Sequence, residues 1–168
     1  MPPTVEPLTR KHNCSGFSCG VEALNYFLKR TAMQHIDNGV SKTFVLLQDE
    51  GSTTIMGYFT LTICEVQVEQ LEKKNRKGLP TRHGLPAGKL ARLAISEQLQ
   101  GQGFGEQLLV NAMKHFLQAH EHIGMSALFV NAKDKQAASF YQKYGFIQSC
   151  DDPLYLYLPT STIKAANL

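Results

Sequence analysis

The hydrophobic pattern of the chain predicts a single domain, over residues 1–168, that contains both helices and strands. Apolar residues recur at helical spacing in three segments, residues 18–36, 103–120 and 134–144, which is typical of helices that pack one face onto a core. Shorter apolar or alternating runs predict strands at residues 43–48, 55–64, 90–95, 127–132 and 154–158. Ser18 or Cys19 is expected to cap the first helix.

The order of these segments predicts the fold class. The turn-forming sequence Asp49–Ser52 joins the first two strands and predicts an antiparallel hairpin. The succession of strand 90–95, helix 103–120 and strand 127–132 predicts a parallel pair connected by a helical crossover. We therefore predict an α/β (α+β) fold with a mixed central sheet, an antiparallel amino-terminal hairpin, parallel central strands and flanking helices.

Composition excludes some classes of protein. No apolar run approaches the ~18 residues of a membrane span, so we expect a cytoplasmic protein without a membrane partner. Four cysteines are scattered without a C-x-x-C pair, which predicts reduced thiols. His120 and His122 would point to different faces of a helix and have no evident further ligands, so no metal site is expected.

A glycine-rich turn between the predicted strand 90–95 and the long helix predicts a diphosphate-binding site. Glycines let a ligand touch the backbone, and the free N–H groups at a helix start favour phosphate. A P-loop would need Lys-Ser or Lys-Thr after Gly105, where Glu106 and Gln107 stand. A dinucleotide fingerprint would need a glycine at position 106 and an acidic residue at the end of the next strand, where Asn131 stands.

The remaining pattern, Gln-x-x-Gly-x-Gly at Gln100–Gly105, resembles the acyl-CoA site of the GCN5-related N-acetyltransferases, the GNAT family. The second half of that family's signature is resembled by Asn131–Asp134, Ala137–Tyr141 and Gly145–Phe146. A closer resemblance, to the acetyltransferase toxins of bacterial toxin–antitoxin pairs, covers almost the whole chain. It is carried by Phe17–Gly20, Leu24–Asn25, Phe27–Leu28, Ser41–Val45, Arg92–Ile95 and Asp151–Leu154.

This resemblance implies a fold, a reaction and a site. It implies the GNAT fold, with central strands that splay at the acetyl-CoA site, and acetylation of the amino acid on charged tRNA, which stops translation. It further implies a ribbon-helix-helix antitoxin, and a dimer would suit so large a substrate. Tyr141 would be the general acid that protonates the leaving thiolate. Acetyl-CoA would be held by Leu93, Ala94, Ile95, Gln100, Gly101, Gln102, Gly103, Phe104, Gly105, Asn131 and Phe140, with the Gln100 side chain as an additional donor to the diphosphate.

The charge distribution is uneven. Between Lys73 and Ser96 there are seven basic residues and no acidic one, so the rest of the chain, with ten basic and fourteen acidic residues, carries about −4. The cluster Lys73–Lys77 is either a solvated loop or a phosphate-binding surface. Arg92 either binds the tRNA acceptor end or forms a structural ion pair. The candidates for contacts with tRNA are Lys29, Arg30, Lys42, Arg76, Lys77, Arg82, Lys89 and Arg92.

The lack of acidic residues between Lys73 and Ser96 also indicates which kind of amine accepts the acetyl group. The central strand supplies no base, and a lysine amine with a pKa of about 10.4 is almost wholly protonated at neutral pH, whereas an α-amine near 7.7–8.0 is partly neutral. This favours an α-amine as the acceptor.

Two alternative functions remain: an N-acetyltransferase that acts on a protein amino terminus or a small amine, and a non-catalytic acyl-CoA sensor. Positions that depart from the toxin family's usual residues are Ala91, Ser96, Asn131 and Tyr144.

Overall fold

The computed structural model describes residues 2–168, and its elements alternate as the hydrophobic pattern predicts. The strands are β1 (Thr4–Pro7), β2 (Lys42–Leu47), β3 (Gly57–Val66), β4 (Leu85–Ile95), β5 (Ala127–Asn131), β6 (Ile147–Gln148) and β7 (Tyr155–Pro159). The α-helices are α1 (Glu22–Tyr26), α2 (Ala32–Asp37), α3 (Phe104–His120), α4 (Lys135–Lys143) and α5 (Thr160–Ala165), and a π-helical turn (Phe27–Thr31) joins α1 to α2. No helix in residues 2–168 is long and apolar enough to cross a membrane.

The strands form one mixed sheet in the order β1-β2-β3-β4-β5-β7-β6. β2 and β3 are antiparallel, with Thr43 opposite Thr60, which confirms the predicted hairpin. β4 and β5 are parallel, with Gly88 opposite Leu128 and Leu90 opposite Val130, which confirms the predicted parallel pair. The mixed sheet with flanking helices is therefore as predicted.

The chain divides into two compact units. The first contains the chain up to Thr62 together with Ala91–Ala112, and the second contains Ile63–Leu90 together with Met113–Leu168. Each has its own apolar cluster: Phe17, Leu28 and Tyr58 are nearly inaccessible in the first, and Phe129 and Tyr157 are wholly buried in the second. A single domain over residues 1–168 stays a prediction.

The first helix begins later than predicted, at Glu22. Val21 occupies the capping position in an extended conformation and makes no side-chain cap bond. Ser18 instead donates from its hydroxyl to Glu97, and the Cys19 N–H donates to the side-chain oxygen Oδ1 of the buried Asn25 at 2.8 Å. The Ser18 or Cys19 cap is thus wrong, because tertiary partners engage both residues.

Four elements extend beyond the prediction. β4 begins at Leu85 rather than at residue 90 and includes Pro86, which lies before the pairs with β5 and so disrupts none of them. β1, β6 and α5 have no predicted counterpart, because segments of two to six residues carry too little periodicity to be recognised.

Candidate active site

The glycine turn connects β4 to α3 and has two glycines in the left-handed region. After β4, a 3₁₀ turn (Glu97–Leu99) leads to Gln100 in an extended conformation. Gly101 and Gly103 have φ angles of 77° and 88°, a backbone conformation that residues with a Cβ rarely adopt. A Cβ built on either glycine would meet no atom within 4 Å, so the space above both residues is open. This backbone is suited to the close approach of a ligand.

The side chain of Gln100 holds the turn in place. Its amide nitrogen donates to the carbonyl oxygens of Cys19 and Ile95, both at 2.9 Å. Both N–H donors are thus engaged within the protein, and the side-chain donor expected for a diphosphate is used structurally. Gln102 likewise donates to the Gln98 carbonyl at 3.1 Å. The donors left for a ligand at this turn are backbone N–H groups.

The end of β4 provides the backbone expected to face the acyl group. β4 pairs with β5 from Gly88 to Leu90, whereas β4 itself continues through Leu93, Ala94 and Ile95. On its other side this end approaches β3 closely, since a Cβ at Gly57 would lie 2.7 Å from the Ile95 side chain and 2.8 Å from the Ala94 carbonyl oxygen. A glycine at position 57 therefore allows this approach. Nothing in the local sequence pattern indicates this role of Gly57, so it could not be predicted from the sequence.

Tyr141 is a buried aromatic residue on α4 of the second unit. Asp134 caps this helix by accepting from the Ala137 N–H at 2.8 Å. The Tyr141 ring makes edge contacts with Phe140, at 5.3 Å between centroids, and with Phe146, at 5.5 Å. The side chain is only 6% exposed, and burial raises its pKa above the ordinary value of a phenol. Among residues 2–168 its hydroxyl has no hydrogen-bond partner, so its proton is available to a ligand.

Arg92 lies over an aromatic ring in the first unit and has no ion pair within residues 2–168. Its guanidinium carbon is 3.6 Å from the centroid of Phe27, which begins the π-helical turn. Phe27 in turn stacks on Tyr58 at 6.3 Å between centroids. No hydrogen-bond acceptor or carboxylate within the described residues engages the guanidinium, so the structural ion pair considered for Arg92 is absent from residues 2–168. The ring supports the cation from one side and leaves its N–H donors for an anion such as a phosphate.

The other basic residues divide into two kinds. Arg76 is engaged within the second unit, because its guanidinium donates to the carbonyl oxygens of Leu71 at 2.8 Å and Glu69 at 2.9 Å. Lys89 is half-buried, with its amine 5.9 Å from the centre of the Tyr155 ring. The exposed candidates are Lys29, Arg30, Lys42, Lys77 and Arg82. Arg76 thus braces the chain, whereas those five side chains are accessible to a ligand.

The other residues predicted to bind acetyl-CoA lie on α3, β5 and α4. Phe104 and Gly105 form the first turn of α3 and are half-buried. Asn131 is the exposed last residue of β5, and Phe140 is a half-buried neighbour of Tyr141 on α4. The stretch from Arg92 to Gly105 belongs to the first unit, and Asn131, Phe140 and Tyr141 belong to the second. No group of three metal-binding side chains occurs in the part of the chain that the structure describes.

Comparison with known proteins identifies similar sequences and structures. A family described as the acetyltransferase (GNAT) domain matches residues 18–155. A tRNA-acetylating toxin of Mycobacterium tuberculosis is 31% identical over 151 residues, which are 90% of this chain and 88% of the toxin. A structure of AtaT complexed with acetyl-methionyl-tRNAfMet has a TM-score of 0.90, with 31% identity and 99% of each chain covered. A mutant AtaT bound to acetyl-CoA and the C-terminus of the antitoxin AtaR has a TM-score of 0.82, with 29% identity over 99% of each chain.

Proposed function

We propose, from the premise that this chain belongs to the GNAT acetyltransferase family, that it transfers the acetyl group of acetyl-CoA to the α-amine of aminoacyl-tRNA and so inhibits translation. The relatives that acetylate tRNA or bind acetylated tRNA support this substrate class. The observation that carries the donor half of the proposal is the open, left-handed backbone at Gly101 and Gly103. The absence of acidic residues from Lys73 to Ser96 supports the acceptor half.

The glycine turn would bind the diphosphate of acetyl-CoA. Backbone N–H groups from Gly101 to Gly105, at the start of the 17-residue helix α3, provide donors and a favourable dipole for phosphate oxygens. Gln100 keeps these amides in position through its two carbonyl contacts. The residues present fit the substrate, which supplies an activated acetyl thioester.

The backbone N–H groups of Leu93–Ile95 would stabilise the oxyanion that forms when the amine attacks the thioester. A preorganised donor aimed at developing charge is worth far more in a site without water than in bulk solvent. Leu93, Ala94 and Ile95 are half-buried or buried, which limits access of water to this stretch. Their side chains matter less than the geometry of the strand.

Tyr141 would donate to the sulfur as the thiolate leaves. A phenol with an ordinary pKa of about 10 is a weaker acid than a thiol of about 8.5, so full proton transfer is uphill by roughly 2 kcal/mol. Burial raises the pKa of Tyr141 and increases that cost. A hydrogen bond to the charged sulfur, worth about 1.5–3 kcal/mol, does not require complete transfer. The buried phenol can therefore stabilise the leaving thiolate both by this hydrogen bond and by transfer of its proton.

The rate is expected to rise with pH and then level off. The attacking α-amine must be neutral, so the rate should rise about tenfold per pH unit below its pKa of about 7.7–8.0 and flatten above it. Tyr141 must be protonated, and because burial raises its pKa, its loss of a proton lies above the ordinary phenol range. Initial rates from pH 6 to 9 should show no alkaline fall. A fall within that range would contradict the assignment of Tyr141 as an acid with a raised pKa.

Arg92 would bind a phosphate at the acceptor end of the tRNA. Arg92→Gln should raise the KM for charged tRNA by about 10–100-fold, as expected for lost charge-assisted hydrogen bonds, without changing the affinity for acetyl-CoA. The slope of log affinity against log salt should decrease by about 0.7–0.9 for the one lost phosphate contact. Arg10→Gln is the matched control, since Arg10 is exposed and bonded to Asp37. An unchanged salt slope in Arg92→Gln would exclude the phosphate contact.

The same family relationship suggests the cellular setting. We infer that the protein acts in the cytoplasm, where tRNA is charged, and that a ribbon-helix-helix antitoxin inhibits it, since a related toxin binds the C-terminus of its antitoxin. A homodimer would combine two sets of exposed basic residues around one tRNA. Sedimentation of the purified protein at several concentrations tests the dimer directly.

One experiment separates this function from its alternatives. Labelled acetyl-CoA is incubated with the protein and total charged tRNA, and the label is then located. Label on the aminoacyl group supports the proposal. Label on protein amino termini or on small amines would support the second N-acetyltransferase hypothesis instead. Binding of acetyl-CoA without release of free CoA in the presence of any of these acceptors would indicate a non-catalytic sensor.

A further inference from the structure

A separate pocket of about 340 Å³ lies within the second unit, at the beginning of β5. β5 runs from Ala127 to Asn131, so the pocket is at the opposite end of this strand from Asn131, which the family resemblance places at the acetyl-CoA site. The polar residues that line it are Lys74, Asn75, Lys77, Ser126, Tyr157 and Ser161. Lys77 is also one of the candidate contacts for tRNA, but no role proposed for acetyl transfer requires the pocket itself.

The rim of the pocket is held by hydrogen bonds. The wholly buried Tyr157 accepts from the Glu72 N–H at 2.9 Å and donates from its hydroxyl to the Asn75 side-chain oxygen at 2.7 Å. The Asn75 N–H donates to the Glu72 carbonyl at 2.8 Å, which closes the short turn that carries Lys74. Arg76 braces the same turn through the Leu71 and Glu69 carbonyls. The lysines therefore project from a preorganised turn.

The polar lining is cationic and rich in donors. No carboxylate lines the pocket. Lys74 has one ion pair, 3.6 Å from Glu72, but both side chains are largely exposed and such pairs contribute little. Lys77 has no ion pair among residues 2–168. Because Asn75 uses its oxygen on Tyr157, its free polar group is the NH₂ donor. Two ammonium groups and an amide donor favour an anion with several oxygen acceptors.

The pocket also has an apolar part, and its volume exceeds that of an inorganic ion. Leu71, Leu79 and Pro159 supply apolar atoms to the lining. A volume of about 340 Å³ is at the lower end of the range of roughly 300–1,000 Å³ for small-molecule sites, which suits one small ligand. The combination of a phosphate-binding edge and an apolar surface matches a nucleoside phosphate, with its phosphate near the lysines and its base or ribose against the apolar part.

We propose that this pocket binds a nucleotide, either a free mononucleotide or one nucleotide unit of an RNA strand. Lys74 and Lys77 contact the phosphate oxygens, Asn75 donates to the same group, and Leu79 and Pro159 cover the ring. The inference goes beyond acetyl transfer, and only its RNA form rests on the proposed function. Binding to the pocket is measurable without the reaction, so the two ideas succeed or fail separately.

The test is a titration of the full-length, isotope-labelled protein with guanosine 5′-monophosphate, followed by the chemical shifts of its amides. Amides of the glycine turn, residues 100–105, are followed as a separate set, so that binding there is distinguished from binding in the pocket. The expected result is a saturable shift of the Asn75, Lys77, Ser126 and Ser161 amides. Inorganic phosphate should bind at least fivefold more weakly, because it lacks a group for the apolar part. Equal affinities, or shifts confined to other residues, would overturn the proposal.

Three variants sharpen the test. Lys74→Gln combined with Lys77→Gln should raise the Kd for the nucleotide at least tenfold. Ser161→Trp, at an exposed position on α5, should do the same by filling the pocket while both lysines remain. Lys114→Gln combined with Lys164→Gln removes two exposed lysines elsewhere in this unit and should change the Kd less than twofold. If the first two proteins keep the amide spectrum of the folded state and bind as the wild type does, the assignment is wrong.

A competition experiment identifies the source of the nucleotide. Deacylated tRNA is added to the protein with guanosine 5′-monophosphate in the pocket. Displacement of the nucleotide identifies an RNA strand as the natural occupant, whereas retention at saturating tRNA identifies a free mononucleotide. Acetylation of charged tRNA by the wild-type protein is measured in parallel, so a failure of the proposed function is seen independently of the pocket.

Discussion

Replacement of Tyr141 by phenylalanine is expected to lower turnover by ~10²–10⁴-fold and to leave the affinity for acetyl-CoA nearly unchanged. The change removes one hydroxyl that has no partner within residues 2–168 and keeps the ring that packs on Phe140 and Phe146. The folded state therefore loses no hydrogen bond. The loss falls on the step in which the thiolate leaves.

The size of the effect distinguishes two roles of the phenol. A hydrogen bond to a charged sulfur is worth about 1.5–3 kcal/mol, or roughly 10–150-fold in rate. A larger loss indicates that the proton is substantially transferred in the transition state. Single-turnover rates with saturating acetyl-CoA give this number without interference from product release.

A neighbouring phenol provides the matched control. Tyr144 is on the carboxyl-terminal side of α4, contacts Phe140 at 5.1 Å between centroids, and stands where the family often has phenylalanine. Tyr144→Phe makes the same chemical change and should retain turnover within about threefold. If Tyr141→Phe were equally mild, Tyr141 would be a packing residue and the donor to sulfur would have to be sought elsewhere.

The second large effect is expected from Gly103→Val, which should abolish binding of acetyl-CoA. Gly103 has a φ of 88°, and its Cβ position is open in the protein alone, so a side chain there would extend into the space assigned to the diphosphate. Displacement of two amides from the phosphates loses charge-assisted hydrogen bonds of about 1.5–3 kcal/mol each. Calorimetry should therefore show at least a hundredfold loss of affinity.

The backbone strain that valine imposes at Gly103 must be distinguished from its direct effect on acetyl-CoA binding. Gly51 has nearly the same φ, 89°, and also has nothing within 4 Å of its Cβ position, but it lies in the turn between β2 and β3. Gly51→Val thus imposes the same backbone strain, of about 1–3 kcal/mol, away from the glycine turn. Urea unfolding should show similar destabilisation of both variants. Normal acetyl-CoA affinity in a folded Gly103→Val protein would show that the diphosphate binds elsewhere.

Long periodic segments could be predicted from the sequence, and short or tertiary features could not. Helix α3 begins one residue from its predicted start and ends at the predicted residue, because its apolar stripe spans several turns and the glycines mark its beginning. The first helix was predicted too long, since Ser18 and Cys19 look like caps in isolation but bond to Glu97 and Asn25 in the fold. The π-helical turn at Phe27–Thr31 has no pattern of its own.

The roles of side chains likewise divide into those that local sequence indicates and those that tertiary contacts decide. The residue types at Gln100–Gly105 predicted a turn between a strand and a helix, and the positive φ angles of Gly101 and Gly103 are consistent with it. The Gln100 side chain was predicted to donate to the diphosphate, but in the fold it donates to the carbonyl oxygens of Cys19 and Ile95. Cys19 is 81 positions away in sequence, so its contact with Gln100 could not be predicted from local pattern. The partner of Arg92 is a phenylalanine ring rather than a carboxylate, and no spacing rule anticipates such a contact.

The sequence by itself determined the alternation of helices and strands, the position of the glycine turn and the chemical types available for acetyl transfer, because these depend on neighbours within a few residues. Only the tertiary structure decided which donors remain free for a ligand. Arg76 and Gln100 are used on carbonyl oxygens, whereas Arg92 and Tyr141 have no polar partner within residues 2–168. The physical reason is that a polar side chain bonds to whichever group the fold brings near it, and that group is often distant along the chain.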